Sequence, residues 1–435
     1  MTPPGSIPSH ADIVIIGGGI IGVSTAWFLA RQGVNVVLCE KGHIAGEQSG
    51  RNWGWVRNQG RDPREIPMML ESLRIFRHLE TDIGESVGFV AGGCLFGART
   101  DQQLKNFHDW LQTARDFELD TRVIDGAELK SLVRGASPAW KGALYTPSDG
   151  RAEPHLATAA IARAASRAGA TLLTCCAVRG IESSAGAISG VITEHGTIKT
   201  SVVLCAAGAW TSMFCRSLGI SVPQLKVRGT VARTVPADKL IDGNLFDKEL
   251  GIRRRTDGGY TIAHGSILDH GITPSTFRYA FKFLPALRKE LSVLRLRFGK
   301  DFFDELQMPA TWSLDEVSPF ESRRVLNPEP SRRILHKIKR NLGKVFPPLA
   351  DTPIAESWAG IVETTPDVVP VIGEVGDTAG FYVATGFSGH GFGIGPGAGK
   401  ALAAMLTGEE SPIDLTPFRL ERFFDGSPIR PQSSI

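Results

Sequence analysis

The sequence predicts an α/β fold made of two packed domains, and three observations predict it. A chain of 435 residues is more than one ordinary core fills, so two closely packed domains are expected. Near its start, a β-branched run, Asp12 to Ile16, ends in a glycine-rich turn that opens a helix and leads to a second strand. Near its end, "GFYVATGFSGHGFGIGPGAGKALAAMLTG" repeats the plan of strand, glycine-rich loop and helix.

The opening "MTPPGSIPSH" has neither the basic start nor the apolar core of a secretory signal. No apolar run of about eighteen residues follows that could span a bilayer, so the expected location is the cytoplasm. After Asp12 the run is apolar to Ile16, as a strand buried inside a parallel sheet requires. Gly17, Gly19 and Gly22 then form GxGxxG. The helix runs to about Gln32, Gly33 caps it, and Val34 to Cys39 make the next strand, with Glu40 at its tip. The first glycine permits the tight turn, the second lets backbone approach a pyrophosphate, and the third lets helix pack on strand. The helix N-terminus offers N–H groups to phosphates and Glu40 can accept ribose hydroxyls, so the unit reads as a dinucleotide site.

The next segment, "GEQSGRNWGWVRNQGRDPRE" from Gly46 to Glu65, has no clear apolar period. It nevertheless holds four arginines and two tryptophans, an unusual load for a loop. Further on, "GATLLTCCAVRGIESSAGAISGVITEHGTIKTSVVLCAAGAW" reads as three strands joined by turns, ending at Ala206 to Ala209. From Phe277 to Pro347 the chain is cationic and amphipathic, with Phe and Leu at helical spacing; such helices either lie on anionic membrane surfaces or pack on a domain with the charged face in water. The C-terminal helix is expected from about Gly395 to near Gly408. A nicotinamide enzyme needs no second glycine-rich strand-loop-helix. A flavoprotein does, because the isoalloxazine lies far from the first loop and needs its own backbone cradle and helix dipole. The six cysteines lack CxxC spacing and read as reduced thiols, with no metal site. A net charge of +3 is too small to argue for nucleic acid.

With these motifs, the stretches "EKGHIAGEQSGR", "CAVRGIE", "GTIKTSVV", "MPATWSLDEVSPFESRRV" and "DLTPFRLERF" make the chain resemble a known superfamily along its full length. It is the D-amino-acid oxidase-like superfamily of FAD-dependent amine and amino-acid oxidoreductases, and within it the bacterial L-amino acid deaminases. The resemblance implies a Rossmann-type FAD-binding domain assembled from residues 1–90, 150–222 and 355–435. It implies a substrate domain from residues 91–149 and 223–354, built on an antiparallel sheet with a helical insert at about 277–347. Gly17, Gly19, Ile20, Ile21, Gly22, Glu40 and Lys41 would hold the adenosine diphosphate half. Gln48, Ser49, Gly50, Arg51 and Asn52 would follow the pyrophosphate and ring, and Val178 would meet the adenine through its backbone. Ala207 and Gly208 would line the nucleotide, while Gly389, Gly391, Phe392 and Gly393 would cradle the ring. Some relatives attach flavin to a cysteine shortly before a TPD motif; "ESWAGIVETTPD" has none, so the FAD is expected to be non-covalent.

The chain departs from that pattern where a substrate carboxylate would bind. Many of the oxidases place an arginine just before the TPD-like turn, where this chain has Val362 and Glu363. The resemblance to the deaminases implies one from the strand matching "GYTIAHGSI", where this chain has His264 and Gly265. The sarcosine-oxidase branch has arginines shortly after the flavin-covering loop, a place held here by Arg57 and Arg61. Arg57 is thus either the substrate anchor or a surface cation paired with Asp62 or Glu65, and Trp53 and Trp55 either wall the pocket or fill core. His390 would stand at the flavin's edge as a catalytic group or order its loop. His264 and His270 lie near the expected pocket, and Glu363 either attracts a substrate ammonium or is a solvated loop carboxylate.

The activity implied is oxidation of the C–N bond of an amino acid or related amine to an imine, which water hydrolyses to a keto acid or aldehyde. Alternatives are the flavin subunit of an opine- or hydroxyproline-type dehydrogenase, or a sarcosine-like oxidase that makes hydrogen peroxide. The absence of lysine from "TIAHGSILDHG" favours a dehydrogenase. The partners implied are a small amine or amino acid, oxygen or a respiratory quinone as acceptor, and peripheral contact with the inner face of the membrane through residues 277–347.

Overall fold

The run from Asp12 to Glu40 becomes the centre of a six-stranded sheet. In the computed structural model, which describes residues 7–137, 140–290 and 294–432, the strand Ile13–Ile16 is buried throughout. It lies parallel to both its neighbours, Val36–Glu40 and Val202–Cys205. Thr171–Thr174 continues the sheet on one side; on the other, Phe381–Thr385 pairs parallel with Val202–Cys205, and Val371–Glu374 closes the edge antiparallel. Helices Ile20–Arg31, Pro154–Arg167 and Gly391–Thr407 cover one face, and strand residues Val178, Ile188, Val191 and Ile198 pack on the other with Phe214, so the strands are apolar on both faces. The first six residues, and residues 291–293 of the expected insert, lie outside the described residues.

Helix Ile20–Arg31 packs against the C-terminal helix Gly391–Thr407, and glycine sets how closely. A Cβ on Gly399 would stand 2.5 Å from the Ser24 Cβ. This helix begins at Gly391, not near the expected Gly395, so Pro396 sits inside it instead of in its first turn. Ser72 accommodates the disturbance: its hydroxyl donates to the Gly393 carbonyl (2.6 Å) and accepts from the Gly397 N–H (3.2 Å), bridging two groups an undisturbed helix would join directly. Between Gly169 and Ala209 the structure has five strands where three are expected. Cys175, at φ 50°, turns the chain out of the main sheet. Val178–Ser184, Ala187–Thr193 and Gly196–Lys199 then form a separate antiparallel meander.

Facing this unit is a mixed sheet of ten strands among the described residues, mostly antiparallel. Leu225–Thr234 lies within it and pairs with Ile354–Thr364 along nearly its whole length, so the latter strand carries the chain from the large sheet back toward the glycine loops. Helix Arg332–Val345 buries Ile334, Ile338, Leu342 and Val345 against this sheet. The part of the insert with the densest positive charge therefore turns its apolar stripe to the core. The exposed apolar groups sit earlier, at Phe277 and Phe281 (66% and 92% exposed), Phe298 and Phe303. Among the described residues, no helix is long and apolar enough to cross a membrane.

Candidate functional site

A cavity of about 480 Å³ opens at the carboxyl ends of the parallel strands and runs between the two sheets to the insert. Its first wall is backbone. Gly17 has φ 114°, and a Cβ there would meet the Ala206 carbonyl at 2.5 Å, so only glycine fits between the two strands. Ser49 Oγ accepts from the Ile20 N–H at the start of the first helix (2.8 Å), tying the later loop to the phosphate-type turn. Glu40 accepts from the Gly18 and Gly42 N–H groups (2.7 and 2.6 Å); burial nonetheless raises its pKa, against those two bonds.

Most of the expected cofactor residues meet on this wall. Gly17, Gly19, Ile20, Ile21 and Glu40 line it with Lys41, Gln48, Ser49, Arg51 and Asn52; Val178, Ala207 and Gly208 stand beside them, and Gly389, Gly391 and Phe392 close the far end. Gly22, Gly50 and Gly393 stand behind the wall. Each lets backbone pass close: to the Gly17 carbonyl, the Ala45 carbonyl and the Trp55 carbonyl respectively. Lys41 is committed elsewhere. Its ammonium donates to the Arg323 and Arg324 carbonyls, pairs with Glu47 at 3.1 Å and covers the Trp210 ring. Arg51 likewise donates to Asn327, Ala359 and Gly46, bridging the loop to the strand Ile354–Thr364. An elongated slot with a glycine-lined head, an acid at the second strand's tip and a second glycine loop at its end fits FAD.

The load of arginine and tryptophan in Gly46 to Glu65 is resolved by where it folds. Trp53 and Trp55 pack edge to face (5.4 Å between centroids), Trp55 rests on Phe246, and all three line the cavity. The Trp55 indole N–H has no acceptor among the described residues. Arg57 is buried, donates to the Gln59 carbonyl and lies over the Phe96 ring. It is not a surface cation, because Asp62 is taken by Arg64 (2.8 Å) and Glu65 by Arg61 and His390. No carboxylate lies within 4.0 Å of Arg57 among the described residues, and its guanidinium lines the cavity. Arg61 differs, since it donates to the Arg57 carbonyl (2.7 Å) and pairs with Glu65 (3.8 Å). Burial pulls its pKa down to about 10, with the Arg57 charge adding to that and Glu65 opposing.

Behind these side chains lies a buried polar chain. His390 Nδ1 meets Glu65 Oε2 at 3.2 Å. Burial lowers the His390 pKa, and Glu65 opposes the fall. Burial works to raise Glu65, but His390, Arg61 and Arg57 outweigh it and its pKa falls. Asp149, fully buried, accepts from the Asn58 and Gln59 N–H groups (2.7 and 3.1 Å). Burial pushes it up to about 7 despite those bonds and the nearby arginines. Sequence reasoning missed Asp149, since "YTPSDGR" looks like an ordinary turn and nothing local links it to Arg57, and it named Glu65 only as a possible partner of Arg57.

Of the remaining candidates, His270 bonds through both nitrogens, to the Lys226 carbonyl (2.7 Å) and to Thr276 (2.9 Å), and so orders the strand–helix junction. His264 lines the cavity; burial, with Lys337 and Arg295 nearby, lowers its pKa to about 4, so it is neutral at pH 7. Glu363 is buried on the cavity wall and is not a solvated carboxylate.

The chain matches the family described as FAD dependent oxidoreductase over residues 12–405. It is 26% identical over 433 residues to mitochondrial sarcosine dehydrogenase of Homo sapiens, covering 97% of this chain but 42% of that protein. The chain thus spans under half the length of the curated relatives it first matches. Among solved structures, L-amino acid deaminase from Proteus myxofaciens in complex with anthranilate is 33% identical, with a TM-score of 0.93 and coverage of 97% and 96% of the two chains. L-amino acid deaminase from Proteus vulgaris is 30% identical at the same TM-score, with coverage of 97% and 99%.

Proposed function

Because the chain belongs to the family of FAD dependent oxidoreductases, we propose that it oxidises the C–N bond of a carboxylated amine or amino acid to an imine. The observation that carries this reading is Arg57, a buried guanidinium on the cavity wall with no carboxylate partner among the described residues. A planar fork of N–H donors in an apolar pocket suits a substrate carboxylate.

FAD, when bound, supplies the hydride acceptor. The chain's own residues do the rest. The glycine turn from Gly17 to Gly19 and the Ile20 helix terminus would hold the pyrophosphate, Glu40 the ribose, and Gly389 to Phe392 the ring. Arg57 anchors the carboxylate, while Trp53, Trp55, Phe96 and Phe246 keep water from the reacting C–H. Arg61 and the Glu65–His390 pair fix the Arg57 backbone and the ring-side loop from behind. The reaction depends on alignment more than on a strong base, so none of these groups is assigned as one. Residues 1–90, 150–222 and 355–435 would form the cofactor domain and the remainder the substrate domain. Peripheral membrane contact would come from the exposed phenylalanines of residues 277–306, since the helix Arg332–Val345 has its apolar face in the core.

The test is anaerobic mixing of the FAD-loaded protein with L-, D- and N-substituted amino acids and with simple amines. Carboxylated amines should bleach the oxidised flavin. A flavin that no carboxylated amine reduces would contradict the reading.

A further inference from the structure

Glu363 is left over from this account. It is the penultimate residue of the strand Ile354–Thr364, is 4% exposed and lines the cavity, and its buried Oε2 has no hydrogen-bond partner among the described residues. Its polar neighbours come from two loops: the Gln48 side chain from one and the Phe387 N–H from the other. On the present reading, these two loops flank the flavin.

An unpaired oxygen in such a place points to a ligand, because a buried polar atom without a partner is costly. Two ligand chemistries compete. A substrate ammonium offers only donors and would need the ionised carboxylate. The edge of a flavin ring offers mostly acceptors, its carbonyl oxygens and ring nitrogens, with a single N–H donor at N3; at any of the acceptors the neutral acid is needed, which has an O–H to give. We propose that Glu363 is a cofactor contact whose carboxyl O–H donates a hydrogen bond to an acceptor on the flavin ring.

The surroundings favour the neutral form. Burial pushes the Glu363 carboxyl up to about 7, and the charge of Glu47 adds to that; its own N–H, Gln48 and Phe387 pull the other way. The nearest cation by register is Lys226, its direct partner on Leu225–Thr234. That ammonium lies over the Trp210 ring, 5.5 Å from the centroid. From the ring-side loop, His390 is engaged with Glu65. Below neutrality, Glu363 would donate to the ring and ease its reduction. Above neutrality, its carboxylate would repel the negative charge that reduction brings, so the flavin potential would fall more steeply with pH.

The inference rests on FAD occupying the cavity, and one experiment separates the two. Wild type, Glu363→Gln and Glu363→Leu are loaded with FAD, and affinity and midpoint reduction potential are measured across pH 5.5 to 9. Wild type should show a bend in potential near neutral pH. Glu363→Gln, which keeps a neutral donor, should bind FAD normally and lose the bend. Glu363→Leu should lose the bend and bind FAD about tenfold more weakly. Identical curves and affinities in all three proteins would overturn the proposal. So would a raised KM for cationic amines in Glu363→Gln with affinity and potential unchanged, which would mark an ammonium site. A wild type that takes up no FAD would instead overturn the reading beneath it.

Discussion

Arg57 and Arg61 stand four residues apart in one loop, yet the fold gives them different work. Arg61 is tied to the Arg57 carbonyl and to Glu65, whereas Arg57 lines the cavity without an ion pair among the described residues. Replacing Arg57 by Ala should slow flavin reduction by carboxylated substrates about 100-fold or more, since an unpaired carboxylate in an apolar pocket costs several kcal/mol. FAD content should not change. Arg57→Lys should recover part of the loss, because a point charge replaces a fork. Equal rates in Arg57→Ala and wild type, measured in a stopped-flow cell, would remove the anchor. Asp149 makes a second prediction. Its native pKa, about 7, lies above the ordinary value of 3.8. The folded state therefore holds a proton that the unfolded chain releases, so its stabilising contribution is full below about pH 4 and is lost as pH rises through 7. Asp149→Asn should gain on wild type by on the order of 2–4 kcal/mol between about pH 4 and pH 8. A stability difference that stays flat across that range contradicts it. The sequence names Arg57 as an anchor candidate but leaves it level with a surface cation, and it gives no sign of Asp149. The four arginines of Gly46 to Glu65 mark the segment, but which of them is unpaired depends on Asp62, Glu65 and Asp149 meeting across the fold.

At the level of elements, glycines and one serine decide how the first and last helices meet. Gly399 lies against Ser24, and Ser72 stands between the Gly393 carbonyl and the Gly397 N–H. Gly399→Ala should cost about 1–3 kcal/mol by overpacking and lower FAD affinity, because the first helix follows the glycine turn proposed to hold the pyrophosphate. Unchanged melting temperature would show that the helices can part freely. Proline gives a local signal for a helix start, and here it misleads: the tertiary contact from Ser72 makes an interior Pro396 tolerable, a compensation no local pattern records. The strand–glycine–helix–strand–acid order from Asp12 to Glu40 was legible because each step is local. The five-strand excursion between Gly169 and Ala209 was not, since the choice of partner sheet depends on long-range pairing.

For the molecule as a whole, the two sheets enclose one cavity whose head is glycine and whose far end is aromatic and apolar. The end proposed for the cofactor was readable in the sequence because backbone approach demands glycine at set spacings. Of the end proposed for the substrate only Trp53, Trp55 and Arg57 were, because Phe96 and Phe246 come from distant parts of the chain. Binding across both sheets should make FAD a stabiliser of the entire fold. At a hundredfold excess over Kd, mass action alone adds about 2.7 kcal/mol, which should appear as a rise in melting temperature on adding FAD to stripped protein. The most direct measurement is a matched pair in anaerobic single turnover: an amino acid that reduces the flavin, and the same molecule lacking its carboxylate, each mixed with wild type and with Arg57→Ala. The account predicts that wild type strongly prefers the carboxylated member and that Arg57→Ala loses the preference while keeping its FAD. An equal preference in both proteins, or no reduction of the flavin by either substrate, would contradict it.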